Sequence, residues 1–110
     1  MKKIKLSELN YRVKIQQASN IADGFGGLIT LWQDYEEVWA KIISLTLMKN
    51  VLQGVKGHKI THALFIRFRE DLDANMRIIM GDMILEIDKL HELENQKYLR
   101  IDAIMRGKCC

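Results

Sequence analysis

Asn10-Tyr11-Arg12-Val13-Lys14-Ile15-Gln16-Gln17 alternates in character at almost every step. Tyr11, Val13 and Ile15 fall on one face, and Arg12, Lys14 and Gln16 on the other. An extended chain sends successive side chains to opposite faces, so this stretch predicts a strand with one face buried and one in water. A helix would scatter the same apolar residues around its circumference.

The period of two recurs downstream. Leu28 to Asp34, rich in β-branched and aromatic residues, reads as a second strand. In Glu37 to Ser44, Val38, Ala40 and Ile42 alternate with Trp39, Lys41 and Ile43. The link Asp34-Tyr35-Glu36 is short, so these two segments form either a bent hairpin or one long bulged strand. Ala18 to Gly27 is polar with three glycines in four residues, which predicts a loop.

The period changes after Ser44. Met48, Val51, Leu52 and Val55 stand at i, i+3, i+4 and i+7, one face of a helix. Ser44 or Thr46 can cap its start, and Gly54 and Gly57 lie where helices commonly end. A helix of about three turns is expected. Its apolar stripe either joins the core or packs on a partner.

Strand character then returns in Thr61 to Arg69, where Leu64, Ile66 and Phe68 oppose Phe65, Arg67 and Arg69. Met76 to Met80 is short and apolar. Gly81-Asp82 predicts a two-residue type II′ hairpin into Met83 to Leu90. Glu94-Asn95-Gln96 predicts the next turn. In the last strand, Lys97 to Arg106, Leu99, Ile101 and Ala103 face away from Arg100 and Asp102.

The expected fold is mainly β: a small antiparallel β-barrel of about six strands with one short inserted α-helix. At 110 residues the chain reads as one domain, with a core over 9–106 and a flexible tail at 107–110.

Composition excludes little and promises no chemistry. The chain is 48% hydrophobic and 28% charged, with 17 basic and 14 acidic residues interspersed to a net +3. That balance permits passing contact with nucleic acid and does not mark a dedicated binder. No apolar run has the length of a membrane span or a signal peptide, so an intracellular protein without membrane partners is expected. Cys109 and Cys110 are adjacent and terminal, which reads as a reduced tail. With no proline, the turns rely on Gly, Asn and Asp.

Enzyme signatures are mostly absent. There is no phosphate loop and no nucleophile elbow. Asp23-Gly24-Phe25-Gly26-Gly27 lacks the spacing of a dinucleotide loop. His58 and His62 are four apart, but Lys59 stands where a zinc protease needs Glu, and both read as solvent-facing. His91 reads as a surface residue. The carboxylates Glu36, Glu37, Asp71, Asp73, Glu92 and Glu94 read as solvated turn residues. At least one of Trp32 and Trp39 is expected in the core. Arg67 and Arg69 share a strand face and suit a solvated face, a neighbouring subunit or phosphate. No catalytic residue, cofactor or metal is expected.

The ordered motifs resemble a family. Leu9-Asn10-Tyr11-Arg12-Val13-Lys14-Ile15-Gln16 is similar to the opening L-x-x-R-[VI]-x-[IL]-Q of phage head-tail joining proteins, also called head completion or stopper proteins. Asp23-Gly24-Phe25-Gly26-Gly27, Trp32 and Val38-Trp39-Ala40-Lys41-Ile42 follow in the family's order. So do Phe65-Ile66-Arg67-Phe68-Arg69, Asp71 to Ile78 and Gly81-Asp82-Met83-Ile84-Leu85-Glu86-Ile87. The chain departs at Leu85, where an aromatic is common, and at Arg106-Gly107-Lys108-Cys109-Cys110, which replaces an acidic ending.

The resemblance implies a structural virion protein, assembled in the host bacterial cytoplasm and monomeric in solution beforehand. It implies a ring, a dodecamer, between the portal and adaptor above and the tail below. Double-stranded DNA would pass through it without sequence-specific contact. The candidate interface or channel residues are Asp23, Gly24, Phe25, Gly26, Gly27, Met48, Val51, Leu52, Val55, Arg67 and Arg69, within the segments Ala18–Gly27 and Ser44–Lys59 and on the Phe65–Arg69 strand. The alternative reading is a small nucleic-acid-binding β-barrel, with Phe65, Arg67, Phe68 and Arg69 nearest to a binding face.

Overall fold

The computed structural model describes residues 8–45 and 59–108. Six strands follow in chain order: β1 Tyr11–Ala22, β2 Leu28–Ser44, β3 His62–Arg67, β4 Arg77–Met80, β5 Met83–Leu93 and β6 Tyr98–Lys108. They close into an antiparallel barrel in the order β1-β2-β3-β6-β5-β4. The expected helix on Met48, Val51, Leu52 and Val55 lies outside the described residues, as do His58, Cys109 and Cys110.

Alternation decides what faces inward. Val13 and Ile15 of β1, Ala40 of β2, Leu64 and Ile66 of β3, Ile78 of β4, Leu85 and Ile87 of β5, and Leu99, Ile101 and Ala103 of β6 form one buried cluster. Val38, Ile42, Phe68 and Leu90 pack against it. A smaller cluster of Leu45, Ile60, Ala63 and Ile104, flanked by Ile43 and Phe65, lies on the opposite face of the same strands.

Three bulges bend the ladder. Ile15 pairs with Glu36 and Gln16 with Asp34, which leaves Tyr35 extra on β2. Asp88 and Arg106 are extra in the β5–β6 pair. Each inserts one residue, adds twist and helps a six-stranded sheet curl shut. Thus Leu28–Ser44 is one long bulged strand rather than a bent hairpin.

The turns follow their chemistry. Met80 pairs with Met83 around Gly81-Asp82, and of those two only Gly81 has a positive φ, +63°, as a type II′ turn requires. The β5–β6 turn is less ordinary. Glu94, Asn95 and Gln96 all adopt left-handed φ of 51°, 56° and 65°, and Lys97 N–H closes the turn on Leu93 O at 3.1 Å.

The glycine-rich segment departs from expectation. Ala18 to Ala22 belong to β1, and only Asp23–Gly27 form the turn. These polar residues become strand because Leu28 to Trp32 pair with them residue for residue. Asn20 and Thr30 also bond across the ladder at 3.1 Å.

Candidate functional site

The β1–β2 hairpin outruns the barrel. β1 pairs with β4 only over Lys14–Gln16, and β2 pairs with β3 only over Lys41–Ser44. From Gln17/Gln33 to Ala22/Leu28 the two strands pair with each other alone. The result is a two-stranded arm with open edges and exposed faces among the described residues. It carries Ile21, Leu28, Ile29 and Leu31 in exposed positions, and Phe25 at its tip is 94% exposed.

The tip is built rather than floppy. Asp23 N–H donates to Gly27 O at 3.1 Å. Asp23 Oδ1 accepts Phe25 N–H at 2.7 Å and Gly27 N–H at 3.0 Å. Those bonds, the Phe25 one first, hold the Asp23 carboxyl below its ordinary value. A Cβ at Gly27 would lie 2.7 Å from Asp23 Oδ2, so a larger residue there would push the Asp23 carboxylate aside. This turn presents Phe25 outward and opens no helix, which removes the likeness to a dinucleotide loop.

The root of the arm is gripped on two sides. The Arg77 guanidinium lies 4.3 Å from the Trp32 ring centroid, and its Nε donates to Gln16 Oε1 at 2.8 Å. Gln16 Nε2 donates to Asp34 Oδ1 at 2.8 Å, and Lys14 pairs with Asp34 at 3.2 Å. Gln16 first, then Lys14, lowers the Asp34 carboxyl's pKa.

The second grip centres on the β3–β4 loop. Arg69 forks onto Asp71 at 2.9 and 2.7 Å and reaches Glu36 at 2.9 Å. Tyr35 O–H, on the bulged residue, donates to Asp71 Oδ2 at 2.6 Å. The Arg69 fork, then the Tyr35 hydroxyl, pulls Asp71 down to about 2. Asp71 raises Arg69 and Tyr35 in turn.

Between these features the barrel wall is split. Below the Lys41–Phe65 pair, β2 and β3 part, and they are next linked by the Arg69–Glu36 ion pair. The resulting window opens into a cleft of about 740 Å³ lined by Leu9, Asn10, Val38, Trp39, Ile66, Arg67 and Arg69. Trp39 is 52% exposed there, with Arg12 5.4 Å from its ring centroid. Arg67 is exposed and makes no hydrogen bond or ion pair among the described residues.

Several expectations change. Arg67 ends β3 and Arg69 lies beyond it in the β3–β4 loop, so the two do not share a strand face; Arg69 is held by Glu36 and Asp71, and only Arg67 is available among the described residues. Neither tryptophan joins the core: Trp39 stands at the window, and Trp32 is half-buried under Arg77. A charged neighbour on the outer face takes the place of core packing. His62 is not solvent-facing but 6% exposed, with Thr61 Oγ1 2.9 Å from its Nδ1. Burial lowers its pKa.

His91 is half-buried and lies 2.9 Å from Asp102, which also accepts Arg100 Nε at 2.9 Å. Burial of Asp102 and Asp88 was not foreseen. The one signal for Asp102 was its position two residues from Arg100, on the same strand face. No group of His, Cys, Asp and Glu among the described residues could hold a metal. Phe65 and Phe68 pack against separate apolar clusters, so they offer no stacking platform beside Arg67.

The comparisons with known proteins bear on this arrangement. The family model for "phage head completion protein" matches residues 4–105. A solution structure of protein SF1141 from Shigella flexneri 2a superposes with a TM-score of 0.74 at 21% identity, covering 93% of this chain and 96% of that one. A chain from the virion of a native gene transfer agent particle superposes with a TM-score of 0.63 at 21% identity, covering 92% and 96%. At such identities the likeness is one of fold. No curated protein matches the chain.

Proposed function

The chain belongs to the phage head completion protein family, and from that membership we propose that it is a non-enzymatic ring subunit of the head-tail connector. In this reading copies of the barrel encircle the DNA exit channel, twelve to a ring, between portal and adaptor on one side and tail on the other. The ring helps retain packaged DNA and offers the tail its docking surface. DNA passes through without sequence-specific contact.

One observation carries the reading: the rigidly rooted arm with the fully presented Phe25 at its tip. A barrel that worked alone would gain nothing from an exposed apolar ribbon with open edges, which invites association. A subunit built to be assembled needs such a surface. The gene transfer agent particle whose chain shares this fold is itself an assembled virion, which supports the same reading.

Deleting the gene from the genome that encodes it tests the proposal. Filled heads that leak DNA or carry no tails are expected under electron microscopy. Infectious particles at the normal titre would overturn it.

A further inference from the structure

The arm and the window sit on one strand yet cannot meet within one molecule. β2 runs without interruption from Leu28, beside the tip, to Trp39, on the window wall. Eleven residues of strand hold those two points about 36 Å apart. A window that suits the tip can therefore receive it only from another molecule.

The chemistry of the two parts is matched. Between Gln17 and Gln33 the only charged residue is Asp23. Its Oδ1 is spent on the turn, while Oδ2 accepts no hydrogen bond among the described residues. Next to it stands the exposed Phe25. The window offers the half-buried Val38, the half-exposed Trp39 ring and the Arg67 guanidinium, which has no partner among the described residues, with Leu9 and Ile66 buried behind them. β3 also shows β2 no ladder partner at Ile66 and Arg67, so its backbone edge there can take an added strand.

We propose that the arm tip seats in the β2–β3 window of a second copy of this chain, with Phe25 against Val38 and Trp39 and the Asp23 carboxylate facing Arg67. This rests on the reading of the chain as an assembled subunit and names its neighbour-to-neighbour contact. Donor and acceptor surfaces differ, so the contact is heterologous, and repetition closes a ring or runs on as a filament. An aromatic anchor in an apolar pocket with one opposed charge pair is the usual makeup of an interface hot spot. The root grips reduce the ordering cost, because the arm is already extended before it binds.

Disulfide trapping in the full-length chain tests the contact. In a background of Cys109→Ser and Cys110→Ser, Leu28→Cys near the tip is combined with Asn10→Cys on the window wall. Under oxidation a ladder reaching beyond the dimer is expected on a non-reducing gel. Phe25→Ser should cut the trapped fraction about tenfold. Arg67→Asp, which sets a second carboxylate against Asp23 and leaves the tip turn intact, should also weaken it, and Arg67→Lys should keep it. Circular dichroism of each variant confirms that the barrel is folded.

No ladder from folded protein at high concentration overturns the proposal. So does a ladder indifferent to Phe25→Ser, or a dimer formed equally by Leu28→Cys alone, which would mean tip-to-tip contact. The gel reads self-contact only. A missing ladder together with defective particles from the gene deletion defeats this inference and leaves the connector role standing, whereas a ladder with normal particles does the reverse.

Discussion

Tyr35, Asp71 and Arg69 show how much a single residue can organise. The bulge pushes Tyr35 out of register, and its hydroxyl finds Asp71, which Arg69 already holds in a two-pronged grip. Asp71 is thereby kept ionised down to about pH 2, against an ordinary value of 3.8. Its stabilising effect is full above 3.8 and is lost as the pH falls through about 2. Urea midpoints measured at steps between about pH 5 and pH 2 should therefore fall, and Asp71→Asn should flatten that decline. His62 acts earlier and by burial: its pKa lies below 6.5, so acid begins to favour the unfolded chain below that value. The alternation in Thr61 to Arg69 put Leu64 and Ile66 inside, yet gave no hint that His62 is covered or of what meets Arg69. Arg67 and Arg69 look equivalent as sequence, and only the fold of the β3–β4 loop brings carboxylates to one and leaves the other bare.

At the level of elements, the arm is a strand pair whose own side chains give it little support. A lone two-stranded ribbon is marginal in water, so its extension depends on the root. Arg77→Ala should cost about 1–2 kcal/mol, combining the ring contact with Trp32 and the bond to Gln16. Phe25→Ser should stay within about 0.5 kcal/mol of the parent, because Phe25 is almost wholly exposed. Urea denaturation followed by tryptophan fluorescence checks both. Strand existence was legible wherever apolar residues alternate, as in Tyr11 to Ile15 and Val38 to Ile43. Ala18 to Ala22 was not, since a ribbon with no buried face leaves no hydrophobic period to read. Nor were the bulges at Asp88 and Arg106, although the step from Ile87 to Leu90, both core-facing or packed on the core, breaks the period of two at the first of them.

At the scale of the molecule, the described residues span 53 × 28 × 25 Å. Its barrel holds together through inward residues from all six strands, so a cavity anywhere weakens every seam. Ile101→Ala, at a fully buried site on β6, should cost about 2–5 kcal/mol. That is a large share of the roughly 5–15 kcal/mol available to a domain, and a single cooperative shift in the denaturation midpoint is the expected record. The closed sheet was legible as a class from parity and turns. Its unequal seams were not: β1–β4 joins over three residue pairs and β2–β3 over four, because strand pairing length depends on where bulges and twist separate the chains. One consequence concerns mechanics. β2 has neither glycine nor proline between Leu28 and Ser44, so it behaves as a stiff lever whose fulcrum is the clamped root. A ten-degree tilt of the barrel sweeps Phe25 through about 6 Å, and a load applied at the tip falls first on the clamps at the root and on the Tyr35 bulge beside them.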